Sequence, residues 1–273
     1  MRPGSESSEA GPEPPRASPP SALQTADRAL QILLMFDDAH PEWGVTGIAR
    51  EFGITKSMAH RLLATLTGRG FLMSDPDTRR YRLGPSTLTM GRMWERCGSI
   101  QMLVNPILRE LSSRTGTSTV LALPDHFHMR TVAAVDGSSG PLRMQPLIGE
   151  LYPAHAGATS KAYYAYLPVS QRRQLFMGQP VARYTDRTVT DPLVLENEFL
   201  AIRERGYALT TGEYDAHVVC IAVMVAAQGR PYGSLSAAGP VETFTDPERF
   251  VPALHRAAAS IEARLSRRTR ANR

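Results

Sequence analysis

The stretch TGIAREFGITKSMAHRLLATLTGRG, residues 46–70, constrains the fold more than any other part of the chain. Thr46 can cap a short helix and Thr55 a longer one, because a threonine hydroxyl can accept a hydrogen bond from a free N–H group in the first helical turn. Gly53 separates the two helices and suits a tight turn. Apolar side chains at helical spacing predict a supporting helix before them, over residues 26–34. This order predicts a helix–turn–helix.

A short hairpin is predicted directly after the helices. Two β-like runs, residues 70–74 and 80–83, flank the sequence Asp-Pro-Asp-Thr, which favours a turn. Period-two alternation predicts that four apolar side chains share one face of this hairpin: Phe71, Met73, Tyr81 and Leu83. A hairpin after a recognition helix is a wing, so the expected unit over residues 25–84 is a winged helix–turn–helix.

Polar and basic side chains occupy the outward side of the second helix and of the hairpin. Residues in the first turn of that helix can meet a phosphate, Arg61 can reach a guanine edge, and His60 can donate or accept in the major groove. The predicted DNA contacts are Thr55, Lys56, Ser57, His60, Arg61, Arg79, Arg80 and Arg82. Residues 55–82 hold six basic and two acidic side chains, a local charge of +4. An ordinary amphipathic helix with a solvated face is the alternative, and the glycine turn and the basic hairpin favour DNA binding over it.

Composition bounds the remaining possibilities. The formal net charge of +5 is accounted for by five arginines after residue 263, so it says little about function. Two cysteines cannot form a four-cysteine zinc site, and we expect no metal, no cofactor and a reducing, cytoplasmic location. No apolar run is long enough to span a bilayer, so no membrane partner is expected. Residues 1–24 are rich in Pro, Gly, Ser and Glu and predict a disordered tail, and residues 266–273 predict a basic tail.

The rest of the chain has an α+β pattern, because its strand-like runs do not alternate regularly with helices. A linker helix is predicted over residues 85–98 and a second helix up to Thr115. Strands are predicted at 117–123, 130–135, 218–226 and 233–238. Further helices are predicted near 158–167, 193–205 and 246–265.

Several of these stretches resemble a known family. ADRALQILLMF, GIAREFGITKSMAHRLLATLTGRGFL and RRYRLGPSTLTMG are similar to the winged helix–turn–helix of IclR-type bacterial transcription regulators, although Met58 stands where a small hydroxyl residue is usual. Blocks from GPLRMQPLIGELYPAHAGATSKAYYAYLP to GSLSAAGP resemble the effector-binding domain of that family, here residues 99–265. The resemblance implies a GAF-like α/β domain with an antiparallel sheet, double-stranded operator DNA and a small-molecule effector as partners, and a homodimer or homotetramer.

The same resemblance implies an effector site. Carried over position by position, its contacts are Ala158, Thr159, Thr210, Cys220, Ser236 and Ala238. Thr210 replaces an acid found in some members, and Ala238 replaces a serine. This pocket is therefore expected to be less polar than in members that bind small oxoacids. The effector is either an organic acid or a larger, more apolar metabolite.

Alternative roles remain open for three residues. Cys220 can be a packed core thiol, a ligand contact or the sensor of a thiol-based redox regulator. For His155, a structural role is expected over a functional one. A position on a helix surface explains Lys161 as well as a functional role does. The sequence holds no nucleophile-elbow, metalloprotease, phosphate-loop or dinucleotide-binding motif, so the chain is not expected to be an enzyme.

Overall fold

A computed structural model describes residues 23–37, 39–96, 100–137, 148–176 and 181–271. The chain divides into two compact units after Cys97. The predicted disordered tail lies outside the described residues as far as residue 22. Its last residue, Gln24, already begins the first helix.

The first unit contains the predicted winged helix–turn–helix. Its elements are α1 (Gln24–Leu34), α2 (Val45–Glu51), α3 (Lys56–Gly68), β1 (Leu72–Ser74), β2 (Tyr81–Leu83) and α4 (Pro85–Arg96). Thr55 caps α3 as expected, since its Oγ1 accepts a hydrogen bond from the Met58 N–H at 3.2 Å. Thr46 is not a cap, because α2 begins one residue earlier, at Val45. The segment before α2 pairs with the wing, since the Trp43 N–H donates to the Tyr81 carbonyl.

The core of this unit forms where the apolar sides of the three helices meet the hairpin. Its fully buried residues include Ile32, Ile48, Leu63 and Leu72. The expected arrangement of the wing was wrong in its first strand: Leu72 faces the core, whereas Met73 is 42% exposed and lies opposite Arg82. The register pairs Leu72, rather than Met73, with Leu83, and a shift of one residue moves every side chain of a strand to the other face.

Hydrogen bonds attach the start of α4 to the end of α3. Ser86 Oγ donates to the Arg69 carbonyl at 2.8 Å, and the Ser86 N–H donates to the Gly70 carbonyl at 3.0 Å. A side chain at Gly84 would place its Cβ 2.3 Å from the Gly70 carbonyl oxygen. Only glycine permits this close approach, so the junction of α3, the wing and α4 is tightly packed.

The second unit is a six-stranded antiparallel sheet covered by helices. Its strands are β3 (Ser118–Asp125), β4 (His128–Val135), β5 (Leu151–Pro153), β6 (Ala208–Thr211), β7 (Val218–Ala227) and β8 (Arg230–Pro240). Their order in the sheet is β5-β4-β3-β8-β7-β6. The helices are α5 (Ile100–Thr115), α6 (Ala158–Tyr164), α7 (Val169–Phe176), α8 (Pro192–Arg205) and, after a 3₁₀ turn at Glu248–Phe250, α9 (Val251–Ala271). The antiparallel α/β architecture expected from the resemblance is confirmed.

Each face of the sheet has its own core. One core contains residues of α5, α9 and the sheet, among them Leu108, Leu235 and Leu254, and the other contains residues of α6, α8 and the sheet, among them Ala162 and Phe199. Strands β5 and β6 and helix α7 were not expected from the sequence. Helix α9 continues to Ala271, so most of the predicted basic tail is helical. Among the described helices, none combines the length and apolar character needed to cross a lipid bilayer.

Candidate functional site

Helix α3 and the wing form an exposed basic surface. Ala59, Leu62, Leu63 and Leu66 are buried on the inner side of α3. All eight predicted DNA contacts are exposed: Thr55, Lys56, Ser57, His60, Arg61, Arg79, Arg80 and Arg82. The apolar stripe therefore fixes α3 on the unit and leaves its polar edge available to a duplex.

The tip of the wing is ordered by its own hydrogen bonds. Asp75 Oδ1 accepts from the Asp77 N–H at 2.8 Å and from the Thr78 N–H at 2.9 Å. The backbone N–H groups of Thr78 and Asp77 lower the pKa of Asp75 below its usual value. Arg80 donates to the Glu42 carbonyl at 3.4 Å, so its guanidinium turns toward the segment before α2. The Glu42 carbonyl thus partly orients the exposed Arg80 side chain.

A cavity of about 270 Å³ lies at the start of α6, on the sheet face that α6 and α8 cover. All six residues proposed for effector binding line it: Ala158, Thr159, Thr210, Cys220, Ser236 and Ala238. Nine further lining residues were not identified from the sequence: Val120, Glu150, Tyr152, Ala156, Gly157, Glu213, Tyr214, Asp215 and Val218. Strand alternation could have indicated Val120, since it pairs with Ser236, but a loop residue such as Tyr214 has no periodic signal.

Strand register explains why the sheet residues converge. Thr210 pairs with Cys220, Cys220 pairs with Ala238, and Ser236 pairs with Val120. Directly paired residues of antiparallel strands project from the same face. Their side chains are small, so space remains between this face and α6.

Polar atoms connect the floor of the cavity to α6. Thr159 Oγ1 donates to Ser236 Oγ at 3.0 Å and lies 3.5 Å from Cys220 Sγ. The Ala158 N–H donates to Thr210 Oγ1 at 2.9 Å. Burial raises the pKa of the Cys220 thiol, which disfavours the thiolate that oxidation chemistry needs. The structure therefore gives the redox-sensing alternative no support.

Lys161 is not on a helix surface, as one reading of the sequence had it. Its side chain is 1% exposed, with Nζ 2.7 Å from Glu198 Oε2 and 2.6 Å from Glu213 Oε2. Every residue of α6 is buried, because the helix is enclosed between the sheet and α8. An ammonium group in such surroundings needs carboxylate partners, and these two provide them.

His155 has the structural surroundings that were expected. Its Nε2–H donates to the Ala182 carbonyl at 2.7 Å, and its ring lies against Tyr184 with centroids 5.9 Å apart. Burial lowers the pKa of His155 below its usual value. Within the described ranges, no three His, Cys, Asp or Glu side chains are placed to hold a metal ion.

An exposed basic winged helix–turn–helix, joined in one chain to a sheet with a ligand-sized cavity, defines a ligand-responsive DNA-binding regulator of transcription. Family models agree with this class. The bacterial transcriptional regulator IclR C-terminal domain matches residues 98–263, and the IclR helix–turn–helix domain matches residues 25–76. The chain belongs to the IclR family.

Individual proteins show the same similarity. The chain is 32% identical over 203 residues to the HTH-type transcriptional regulator XynR of Escherichia coli, covering 74% of this chain and 80% of XynR. An IclR transcriptional regulator from Silicibacter sp. TM1040 superposes with a TM-score of 0.80 at 28% identity, covering 89% of this chain and 96% of that one. An IclR homologue from Microbacterium hydrocarbonoxydans, solved in complex with 4-hydroxybenzoate, superposes with a TM-score of 0.71 at 23% identity, covering 88% and 98%. The last similarity concerns the fold alone.

Proposed function

We propose that this regulator binds its operator through the exposed edge of α3 and the wing, and that a small molecule in the cavity beside α6 sets its affinity for DNA. The observation that carries the effector site is the convergence of strands β3, β6, β7 and β8 with the start of α6 around one space. The 4-hydroxybenzoate complex of the Microbacterium homologue supports a small-molecule occupant. Since its partner is chromosomal operator DNA, the protein acts in the cytoplasm.

The working form is a homodimer or a homotetramer. Helix α4 exposes large apolar side chains, namely Met90, Met93 and Trp94, which are 61%, 52% and 55% exposed. These three lie on one side of the helix by their spacing, and an exposed apolar stripe of this kind is stabilised when a second surface covers it. A dimer also presents two recognition helices to the two halves of an operator.

The protein acts without catalysis. The only described cysteine is enclosed at the floor of the cavity, hydrogen-bonded to Thr159 and with a raised pKa. A nucleophilic thiol needs a lowered pKa and a neighbouring base. The polar groups of the cavity therefore serve recognition.

Operator binding tests the DNA surface. The purified protein is titrated against its own upstream DNA, followed by fluorescence anisotropy, together with Arg61→Ala and the exposed control Arg109→Ala in the second unit. We expect Arg61→Ala to weaken binding and Arg109→Ala to leave it unchanged. Equal affinities for all three proteins would contradict the assignment of α3.

A panel of metabolites tests the cavity in the same assay. A compound that changes DNA affinity is then tested on Ala238→Leu, which places a larger side chain in the cavity, and on Ala201→Leu, at an exposed alanine of α8. The response should be lost only in Ala238→Leu. A response that persists there would place the effector elsewhere.

A further inference from the structure

The charges around the cavity bear on the kind of ligand it can hold. Three acidic residues line it, Glu150, Glu213 and Asp215, and none of the lining residues that the structure describes is basic. A ligand carboxylate would gain no ion pair with these side chains and would be repelled by them, most strongly where water is excluded.

Two backbone donors at the start of α6 are already occupied within the protein. The Gly157 N–H already donates to Glu213 Oε2 at 3.1 Å, and the Ala158 N–H donates to Thr210 Oγ1 at 2.9 Å. The chain's own Glu213 carboxylate thus takes a hydrogen bond that an anionic ligand would otherwise receive. A bound acid would have to displace the Glu213 carboxylate or bind without the Gly157 N–H.

Lys161 does not reverse this balance. Its ammonium contacts both Glu213 and Glu198, so the three groups together carry one net negative charge. Lys161 is 1% exposed and does not line the cavity, so its ammonium group pairs with these two carboxylates and not with a ligand.

The aromatic lining residues favour a ring in the cavity. Tyr152 and Tyr214 both line it, in an edge-on arrangement with centroids 5.6 Å apart. A volume of about 270 Å³ suits a single ring with a short substituent. Tyrosine rings also attract cationic groups through their faces.

We propose that Glu213 is a specificity-determining residue, and that the cavity takes a ligand presenting a hydroxyl or ammonium donor while it rejects carboxylates. This rests on the proposed function, because it assumes that the cavity is the effector site. The Glu213 carboxylate accepts the ligand's donor group while it keeps its bonds to Gly157 and Lys161. Asp215, at the exposed edge of the same cavity, adds to the repulsion of acids.

Three probes with one skeleton test the proposal: tyramine, tyrosol and 4-hydroxyphenylacetate, titrated calorimetrically into the full chain. We expect tyramine and tyrosol to bind at least tenfold more tightly than 4-hydroxyphenylacetate. Glu213→Gln keeps the shape of the side chain and removes its charge, so it should reduce this preference at least fivefold. Asp215→Asn should reduce it as well, which keeps the test decisive should Glu213→Gln fold poorly.

Glu204→Gln, at an exposed acid of α8 outside the cavity, is the matched control and should leave the preference unchanged. Ala238→Leu locates the binding, since it should abolish it for all three probes. If 4-hydroxyphenylacetate binds most tightly and neither acidic variant alters the ranking, the proposal is wrong while the cavity remains a ligand site. If no probe binds, the proposed ligand class is wrong. If a probe binds Ala238→Leu normally, the cavity assignment falls as well.

Discussion

Replacing Lys161 by methionine tests whether the lysine is buried and ion-paired or lies on the surface, because only a buried ion pair makes the change strongly destabilising. Methionine fills the space of the aliphatic stem, so the change removes the charge and leaves little cavity. Removing one partner of a buried ion pair costs about 3–5 kcal/mol. Glu198 is 33% exposed and can turn toward water, whereas Glu213 is only 11% exposed, so we expect the lower end, about 3 kcal/mol.

Thermal unfolding can show that the loss of stability falls on the second unit and not on the first. For a unit of this size, about 3 kcal/mol lowers Tm by roughly 6–12 °C in far-UV circular dichroism. Both tryptophans of the chain, Trp43 and Trp94, lie in the first unit, so the transition seen by tryptophan fluorescence should not move. Lys56→Met, at the only other lysine, is exposed and should change stability by no more than about 0.5 kcal/mol. Equal melting temperatures for the two variants would refute the reasoning.

Other parts of the molecule give three further predictions. Arg61→Ala should weaken operator binding by about 1–3 kcal/mol, whereas Arg82→Ala should weaken binding to all sequences and lessen its salt dependence; identical salt slopes would count against a phosphate contact. Since the pKa of His155 is lowered in the folded protein, the unfolded chain binds its proton first. The second unit should therefore lose stability as the pH falls below about 6.5, and His155→Gln should flatten that part of the profile of Tm against pH, unlike the exposed control His217→Gln. Trp94→Glu should shift the protein toward monomer in size-exclusion chromatography with light scattering, and an unchanged mass would exclude α4 from the interface.

The sequence predicted the first unit well because its signals are local. A cap such as Thr55 and a break such as Gly53 act within one helical turn of their own positions. The face of β1 was predicted wrongly because its phase depends on its register with β2. Strands β5 and β6 are only three and four residues long, so they show too little alternation to be found without their partner strands.

The candidate site was predictable where the resemblance supplied its residues. The resemblance supplied Ser236 and Ala238 on one strand, Thr210 and Cys220 on two others, and Ala158 and Thr159 at the start of α6. The environment of Lys161 depends on residues distant in sequence, and a helix buried on all sides shows no periodic pattern. The loop after β6, which carries Glu213, has no pattern either.

The bonded junction between α3 and α4 has a geometric consequence at the operator. Because Ser86 and Gly84 hold the start of α4 against the end of α3, a rotation imposed on α4 turns α3 about its C-terminal end. The 13 residues of α3 place Lys56 about 18 Å from that end, at about 1.5 Å per residue. A turn of only about 10° therefore displaces Lys56 by about 3 Å, close to the spacing of about 3.4 Å between successive base pairs. For the DNA contact proposed for Lys56, a small angular change is thus sufficient to move the side chain by nearly one base pair.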